Sequence, residues 1–150
     1  MPQKRLRIFA GPNGSGKSSL LDHIPRSVPL GYYINADEIE KLIISGTGIN
    51  LKAYGVSPDI NDLKRAVMSG YHVYLYFIST DDVRVNIARV KTRVKNGGHD
   101  VPEDKIRNRY IRSLELLYDA MKICYKSYLF DNSNNTVELA RIDSGLFYLW

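Results

Sequence analysis

Residues 8–19 read Ile-Phe-Ala-Gly-Pro-Asn-Gly-Ser-Gly-Lys-Ser-Ser, and residues 11–18 of that run fit G-x-x-x-x-G-K-[ST], the phosphate-binding loop called Walker A. The apolar run Leu6, Ile8, Phe9 and Ala10 before it predicts a buried strand. Leu20 and Leu21 after it predict the first turns of a helix. A strand–loop–helix setting separates a phosphate loop from a chance match, and it ties the chain to folds that join strands through helices.

The chemistry needs these residue types. Gly11, Gly14 and Gly16 tolerate backbone angles that turn successive N–H groups inward around a phosphate. The helix that starts at the loop presents its free N–H groups and positive dipole end to the same anion. Lys17 then reaches the β- and γ-phosphates, and the Ser18 hydroxyl ligates Mg²⁺. The expected nucleotide-binding set is Gly11, Pro12, Asn13, Gly14, Ser15, Gly16, Lys17, Ser18 and Ser19, with ATP, or alternatively GTP, as ligand. A glycine-rich turn that binds nothing is the bland alternative, and the complete motif in its proper setting weighs against it.

The remaining bulk properties bound the answer further. A chain of 150 residues suits one domain with a single core, and 44% hydrophobic with 25% charged residues is ordinary globular composition. A net charge of +5 favours anionic ligands. The positive residues are spread over several predicted helices, which argues against a nucleic-acid partner. Cys124 is the sole cysteine, so neither an intrachain disulfide nor a thiolate zinc site is expected. It falls among Met121, Ile123 and Tyr125 and reads as a buried filler. The short apolar run near the N-terminus leads into the phosphate loop and is no signal peptide, and no stretch is long enough to span a membrane. A cytoplasmic location is the default expectation.

Along the chain, the first helix should end near Pro25. Residues 32–35 predict a short strand, and residues 36–39 open a helix that runs through Leu42 and Ile43. Asp37 would then stand at the carboxyl end of a strand, the edge that holds ligands in open parallel sheets. A carboxylate there can take a proton from an attacking hydroxyl or orient Mg²⁺-bound water; the alternative is an ordinary N-cap. Residues 45–58 read as a loop, 59–69 as a helix closed by Gly70, and 71–78 as a central strand in which His72 is structural. Residues 79–81 should cap a helix over 82–96 whose core stripe is Val83, Ile87, Val90 and Val94. Asn86, Arg89 and Arg93 share one flank of that stripe, and Arg84, Lys91 and Lys95 the other. An arginine of the first flank suits a transferring phosphoryl group, because its planar fork reaches two oxygens; a solvated basic face is the alternative. Residues 97–100 form a hinge-like turn suited to a lid.

Pro102 starts a long helix with core stripe Ile106, Tyr110, Leu114, Leu117 and Met121. Lys105, Arg109 and Arg112 lie nearly opposite, where solvent exposure is the simpler account. A strand over 127–130, a polar turn over 131–135 and two short edge strands around 136–142 and 146–150 complete the chain. The alternation predicts a three-layer α/β/α sandwich of the P-loop type with a mainly parallel sheet, as a single domain over residues 1–150.

The segments GPNGSGKSS, INADEI, YHVYLYFIST, NIARVKTRVKNGGHDVPEDKIRNRYIRSLELL and LFDNS resemble the zeta-toxin family of P-loop kinases, in its stand-alone branch of predicted ABC-type ATPases. The resemblance covers most of the chain, and GGHDVP followed by RYIRSL is far more specific than the phosphate loop. It implies ATP·Mg²⁺-dependent phosphorylation of a sugar hydroxyl, with UDP-N-acetylglucosamine as acceptor, and an antitoxin protein as partner. Lys17 and Ser18 match the phosphate-loop pair, Asp37 the general base, and Arg89 the arginine on the transferring phosphate. Arg93 is a second candidate, placed by its helical flank. The Asp131–Asn135 turn corresponds to the adenine side of the site by resemblance alone.

One departure stands out. The family usually carries a further helix and a strand ending in Glu-Thr or Glu-Ser, whose acid binds the acceptor, before the segment matching residues 57–70. Here residues 49–56 run almost directly into 58–62, and no Glu-Thr occurs. The chain is either a shortened member or one missing a segment near residues 50–58. The nucleotide half of the site is unaffected by this gap, and the acceptor half is not.

Three activities fit these features to different degrees. A small-molecule kinase uses the phosphate loop, Asp37 as base, and Arg89 with Arg93 on the transferring phosphoryl group. A non-catalytic or weakly hydrolytic nucleotide-binding module acting through a protein partner accounts for the missing Glu-Thr strand. A nucleic-acid-dependent ATPase would require basic residues gathered on one face, which the spacing does not give.

Overall fold

The computed structural model describes residues 3–24, 60–143 and 146–149. In chain order these form β1 (Lys4–Ala10), α1 (Lys17–His23), α2 (Ile60–Met68), β2 (Tyr71–Ser79), α3 (Val83–Lys95), α4 (Glu103–Ile123), β3 (Lys126–Asp131), β4 (Val137–Asp143) and β5 (Leu146–Leu149). The predicted strand at 32–35, the helix opening at 36–39, the loop at 45–58 and Asp37 itself lie outside the described residues. So does Pro25, although α1 ends just before it, as expected.

The described strands form one five-stranded sheet in the order β1-β2-β3-β4-β5. β2 runs parallel to both β1 and β3, as expected of strands joined through helices. The β3/β4 and β4/β5 pairings are antiparallel, so the described part of the sheet is mixed, parallel over β1, β2 and β3 and antiparallel beyond. The reason is local. A turn of a few polar residues between Asp131 and Val137 leaves no room for a crossover helix, and a strand that returns at once can only pair antiparallel.

β2 is the centre of this arrangement. On one of its faces Val73, Leu75 and Phe77 are buried. The other face carries His72, Tyr74 and Tyr76, the alternation of a strand read two residues at a time. In-register pairing of Phe9, Tyr76 and Tyr128 stacks their rings across β1, β2 and β3 at centroid separations of 5.0 and 4.8 Å. His72 stacks on Tyr125 at 4.1 Å, the structural role expected of it.

α2 and α4 pack on β2, and α3 packs on α4. Ile87 and Val90 of α3 meet Val101 and Ile106 in a buried cluster, with Val83 and Val94 against it, which matches the predicted stripe. The cap of α3 differs from expectation: Asp82, one residue beyond the predicted 79–81 cap, accepts the Arg84 N–H at 2.7 Å. α4 takes Pro102 as its N-cap and opens on Glu103 and Asp104, acids that complement the helix dipole. Ile106 is its buried residue, whereas Leu114, expected in the core, is 41% exposed. No helix among the described residues is long and apolar enough to cross a membrane.

Cys124 follows α4 and is half-buried. Burial pushes its thiol up to about 11, so the thiolate is scarce at pH 8. Alkylation by iodoacetamide at pH 8 is expected to be about a hundredfold slower in the folded protein than in the denatured chain, read by intact mass against time.

Candidate functional site

The loop between β1 and α1 is built from backbone that only glycine adopts without strain. Gly14 and Gly16 have φ of 78° and 98°, and a Cβ on Gly14 would fall 2.5 Å from the carbonyl oxygen of Asn86. Gly16 is the N-cap of α1, whose first residue is Lys17. The Lys17 ammonium curls back over the loop and donates to the carbonyls of Gly11 and Pro12 at 2.9 and 3.0 Å.

Two asparagines from distant segments hold the loop from outside. Asn86, on α3 and fully buried, donates from Nδ2 to the Asn13 carbonyl at 2.8 Å, and its Oδ1 accepts from the Thr80 hydroxyl. Asn132, just after β3, donates from Nδ2 to the Ser15 carbonyl at 2.8 Å, and its Oδ1 accepts from the Thr136 hydroxyl at 2.9 Å. The N–H groups of Asn13, Gly14 and Gly16 have no hydrogen-bond acceptor among the described residues. The Ser15 hydroxyl is likewise buried without a partner. Successive loop N–H groups left without internal acceptors are the makings of an anion-binding nest.

Beside the loop lies a pocket of about 410 Å³ lined by Gly16, Ser19, Arg89, Asn132, Asn134, Asn135 and Thr136. Arg89 reaches it from α3. Its Nη2 donates to the Ser133 carbonyl at 3.2 Å, while its Nη1 is buried with no partner. A buried guanidinium N–H without an acceptor is costly, and an anion in the pocket would supply one.

The structure thus brings together residues 11–19, Arg89 and the 131–135 turn. Arg93 is not brought in: its guanidinium donates to the His99 carbonyl at 2.7 Å and fastens the turn after α3. Arg109, which its position opposite the α4 stripe assigns to solvent, extends an exposed side chain whose Nη1 meets Asn13 Oδ1 at 3.0 Å. Tyr110 beside it donates to the Thr80 carbonyl at 2.7 Å, and burial holds its hydroxyl above the usual tyrosine range. α4 therefore touches both the loop and the Thr80–Asn86 support. Ser18 is exposed at the start of α1, open to a ligand. No group of three or more His, Cys, Asp or Glu side chains that could hold a metal occurs among the described residues. A magnesium ion carried by nucleotide phosphates needs no such cluster, and the Ser18 hydroxyl fits it.

No protein-family profile matches the chain. An uncharacterized protein of Haemophilus influenzae is 29% identical over 133 residues, which is 72% of this chain and 94% of the relative. That alignment is longer than the share of this chain it takes in, so the relative carries residues with no counterpart here. Among solved structures, the chain is similar to crystal structures of the AvrRxo1-ORF1:AvrRxo1-ORF2 complex. One contains sulphate ions (TM-score 0.69, 15% identity), one ATP (0.70, 15%), and one is native (0.69, 16%). Each match takes in 98% of this chain but 60 or 61% of the other, so the chain spans about 60% of the length of these neighbours. At this identity the likeness is one of fold.

Proposed function

We propose that the chain is an ATP-binding P-loop phosphotransferase of the zeta-toxin type that phosphorylates a small-molecule hydroxyl, with a UDP-N-acetyl sugar as the first acceptor to test. The observation that carries this reading is the set of donors without acceptors: the N–H groups of Asn13, Gly14 and Gly16 in the loop and the Nη1 of Arg89, with Gly16 and Arg89 lining one pocket. ATP in a crystal structure of similar fold supports the nucleotide.

In this reading the loop N–H groups and Lys17 bind the β- and γ-phosphates, and Ser18 holds Mg²⁺ with the phosphates. Arg89 neutralises charge on the transferring phosphoryl group, and Asn134 and Asn135 border the base. Asp37, outside the described residues, accepts the acceptor's proton. Arg93 serves the turn that closes over the nucleotide, and the three-layer arrangement surrounds the sheet. The crystallised neighbours are two-protein complexes, which supports a protein partner of the antitoxin kind.

The test is incubation with ATP, Mg²⁺ and UDP-N-acetylglucosamine, read by mass spectrometry for a sugar nucleotide heavier by one phosphoryl group. Arg89→Ala is expected to lower the rate about a hundredfold, the effect of removing one preorganised charge-stabilising donor. Absence of product in the wild type would remove this acceptor.

A second reading, a nucleotide-binding module that acts through a protein partner without transfer, is favoured by one observation: no Glu-Thr or Glu-Ser pair occurs in the sequence, which spans about 60% of the length of its structural neighbours. Measurable ATP binding with no phosphorylated product from any hydroxyl acceptor would select it.

A further inference from the structure

A trans peptide unit is planar, and its carbonyl and N–H point in opposite directions. Whatever fixes the C=O of one residue therefore aims the N–H of the next. The Asn13 carbonyl belongs to the same unit as the Gly14 N–H, and the Ser15 carbonyl to the same unit as the Gly16 N–H. These two carbonyls are the ones held by Asn86 and Asn132, and these two N–H groups are left without acceptors.

We propose that Asn86 and Asn132 are positioning residues, each of which aims one anion-binding N–H of the phosphate loop by holding the opposite end of its peptide unit. The proposal rests on the nucleotide-binding reading above and names what prepares that site.

The chemistry of the two amides is unambiguous. A carbonyl can only accept, so the nitrogen end of each side chain must face the loop. The oxygen end is then fixed by a hydroxyl donor, Thr80 for Asn86 and Thr136 for Asn132. Neither amide can flip without placing two acceptors in contact. Asn86 is also closed in: it is fully buried, and the Gly14 backbone lies against its own main chain. The two holds come from different elements, one from α3 and one from the segment after β3, so each pins its own loop carbonyl, that of Asn13 or that of Ser15.

The experiment compares Asn86→Ala, Thr80→Val and Val90→Ala with the wild-type chain. Each protein is titrated by calorimetry with Mg·ATP and with inorganic pyrophosphate, and its melting temperature is recorded. Thr80→Val keeps the shape of the side chain and removes only the hydroxyl that orients Asn86. Val90 is as buried on the same helix but touches no loop carbonyl, and serves as a control for simple destabilisation.

Loss of one oriented hydrogen bond predicts about tenfold weaker binding for Asn86→Ala and about threefold for Thr80→Val. The factor should be the same for ATP and pyrophosphate, because only the phosphate subsite changes. Val90→Ala should melt earlier with both affinities within about twofold of wild type. Asn86→Ala and Thr80→Val binding as tightly as the wild type would overturn the proposal, as would an equal loss in Val90→Ala. Wild-type protein that binds neither ligand would overturn the functional reading instead. Hydrogen exchange of the peptide spanning residues 11–18 then decides the positioning role: faster exchange in Asn86→Ala than in Val90→Ala upholds it, and equal exchange removes it.

Discussion

Lys17→Ala is expected to lower phosphoryl-transfer or hydrolytic turnover by about 10²–10³-fold, the range for removal of one charge-stabilising donor from a preorganised site. The lysine has two roles in this chain. Its ammonium lies across the loop on the Gly11 and Pro12 carbonyls, so it braces the loop's own backbone. It is also a cation held on the same loop as the acceptor-free N–H groups of Asn13, Gly14 and Gly16, so it adds a full charge to a nest of partial ones. Removing it therefore weakens ATP affinity as well as turnover. Lys17→Met, which keeps the aliphatic stem, should behave like Lys17→Ala if charge dominates. Calorimetric titration with ATP beside a turnover assay measures both parts. Unchanged affinity and turnover in Lys17→Ala would place the nucleotide somewhere other than this loop.

Gly11→Ala is expected to be the most damaging substitution for stability. Gly11 has φ of 144°, and a Cβ there would stand 2.0 Å from the Ile78 carbonyl oxygen. That oxygen belongs to β2, an interior strand in which Ile78 pairs with Phe130, so it cannot yield without disturbing strand pairing. Backbone strain and a main-chain clash together should cost roughly 3 kcal/mol or more, a fall in Tm on the order of 10 °C in a chain of this size. Gly97→Ala offers the contrast. Its φ of 81° carries strain, but nothing lies within 4 Å of the added methyl, so the loss should be about 1 kcal/mol. Thermal melts followed by circular dichroism rank the two, and equal melting temperatures would show that close packing of the loop on β2 is unimportant.

Much of this architecture is legible in the sequence because it rests on local rules. The Walker A spacing fixes a strand, a loop and a helix; the alternating residues of β2 and the Val83–Ile87–Val90–Val94 stripe fix their elements by period alone. What escapes is set by tertiary placement. Asn86 reads as the flank of an apolar stripe, yet it occupies a core-facing position three residues after Val83 and one before Ile87. A polar side chain at such a position is the signal, since burial demands partners for both ends of its amide. Arg109 gives no such sign. Helical phase sets it at the margin of the exposed face, one turn on from the buried Ile106, and the approach of α4 to the loop brings that margin to Asn13. Arg93 shares a flank with Arg89, but their destinations differ: one meets the pocket and the other the His99 carbonyl. The antiparallel return after β3 follows from the shortness of the 131–135 turn, and a parallel expectation drawn from the first half of the chain overlooks it.

The parallel pairing of β1 with β2 joins Lys4 to Tyr71 and Ala10 to Phe77, residues far apart along the chain. The pairing of β2 with β3 is of the same kind, joining Tyr74 to Lys126 across two helices, whereas β3, β4 and β5 pair in chain order with only a few residues between them. Folding kinetics should reflect that difference. The last three strands can assemble through short-range closures, while β1 and β2 must each close a long loop before their parallel pairings form. The phosphate loop follows β1, and the two asparagines that hold it follow β2 and β3. A loop shaped to hold phosphate is then complete only when both long closures have been made.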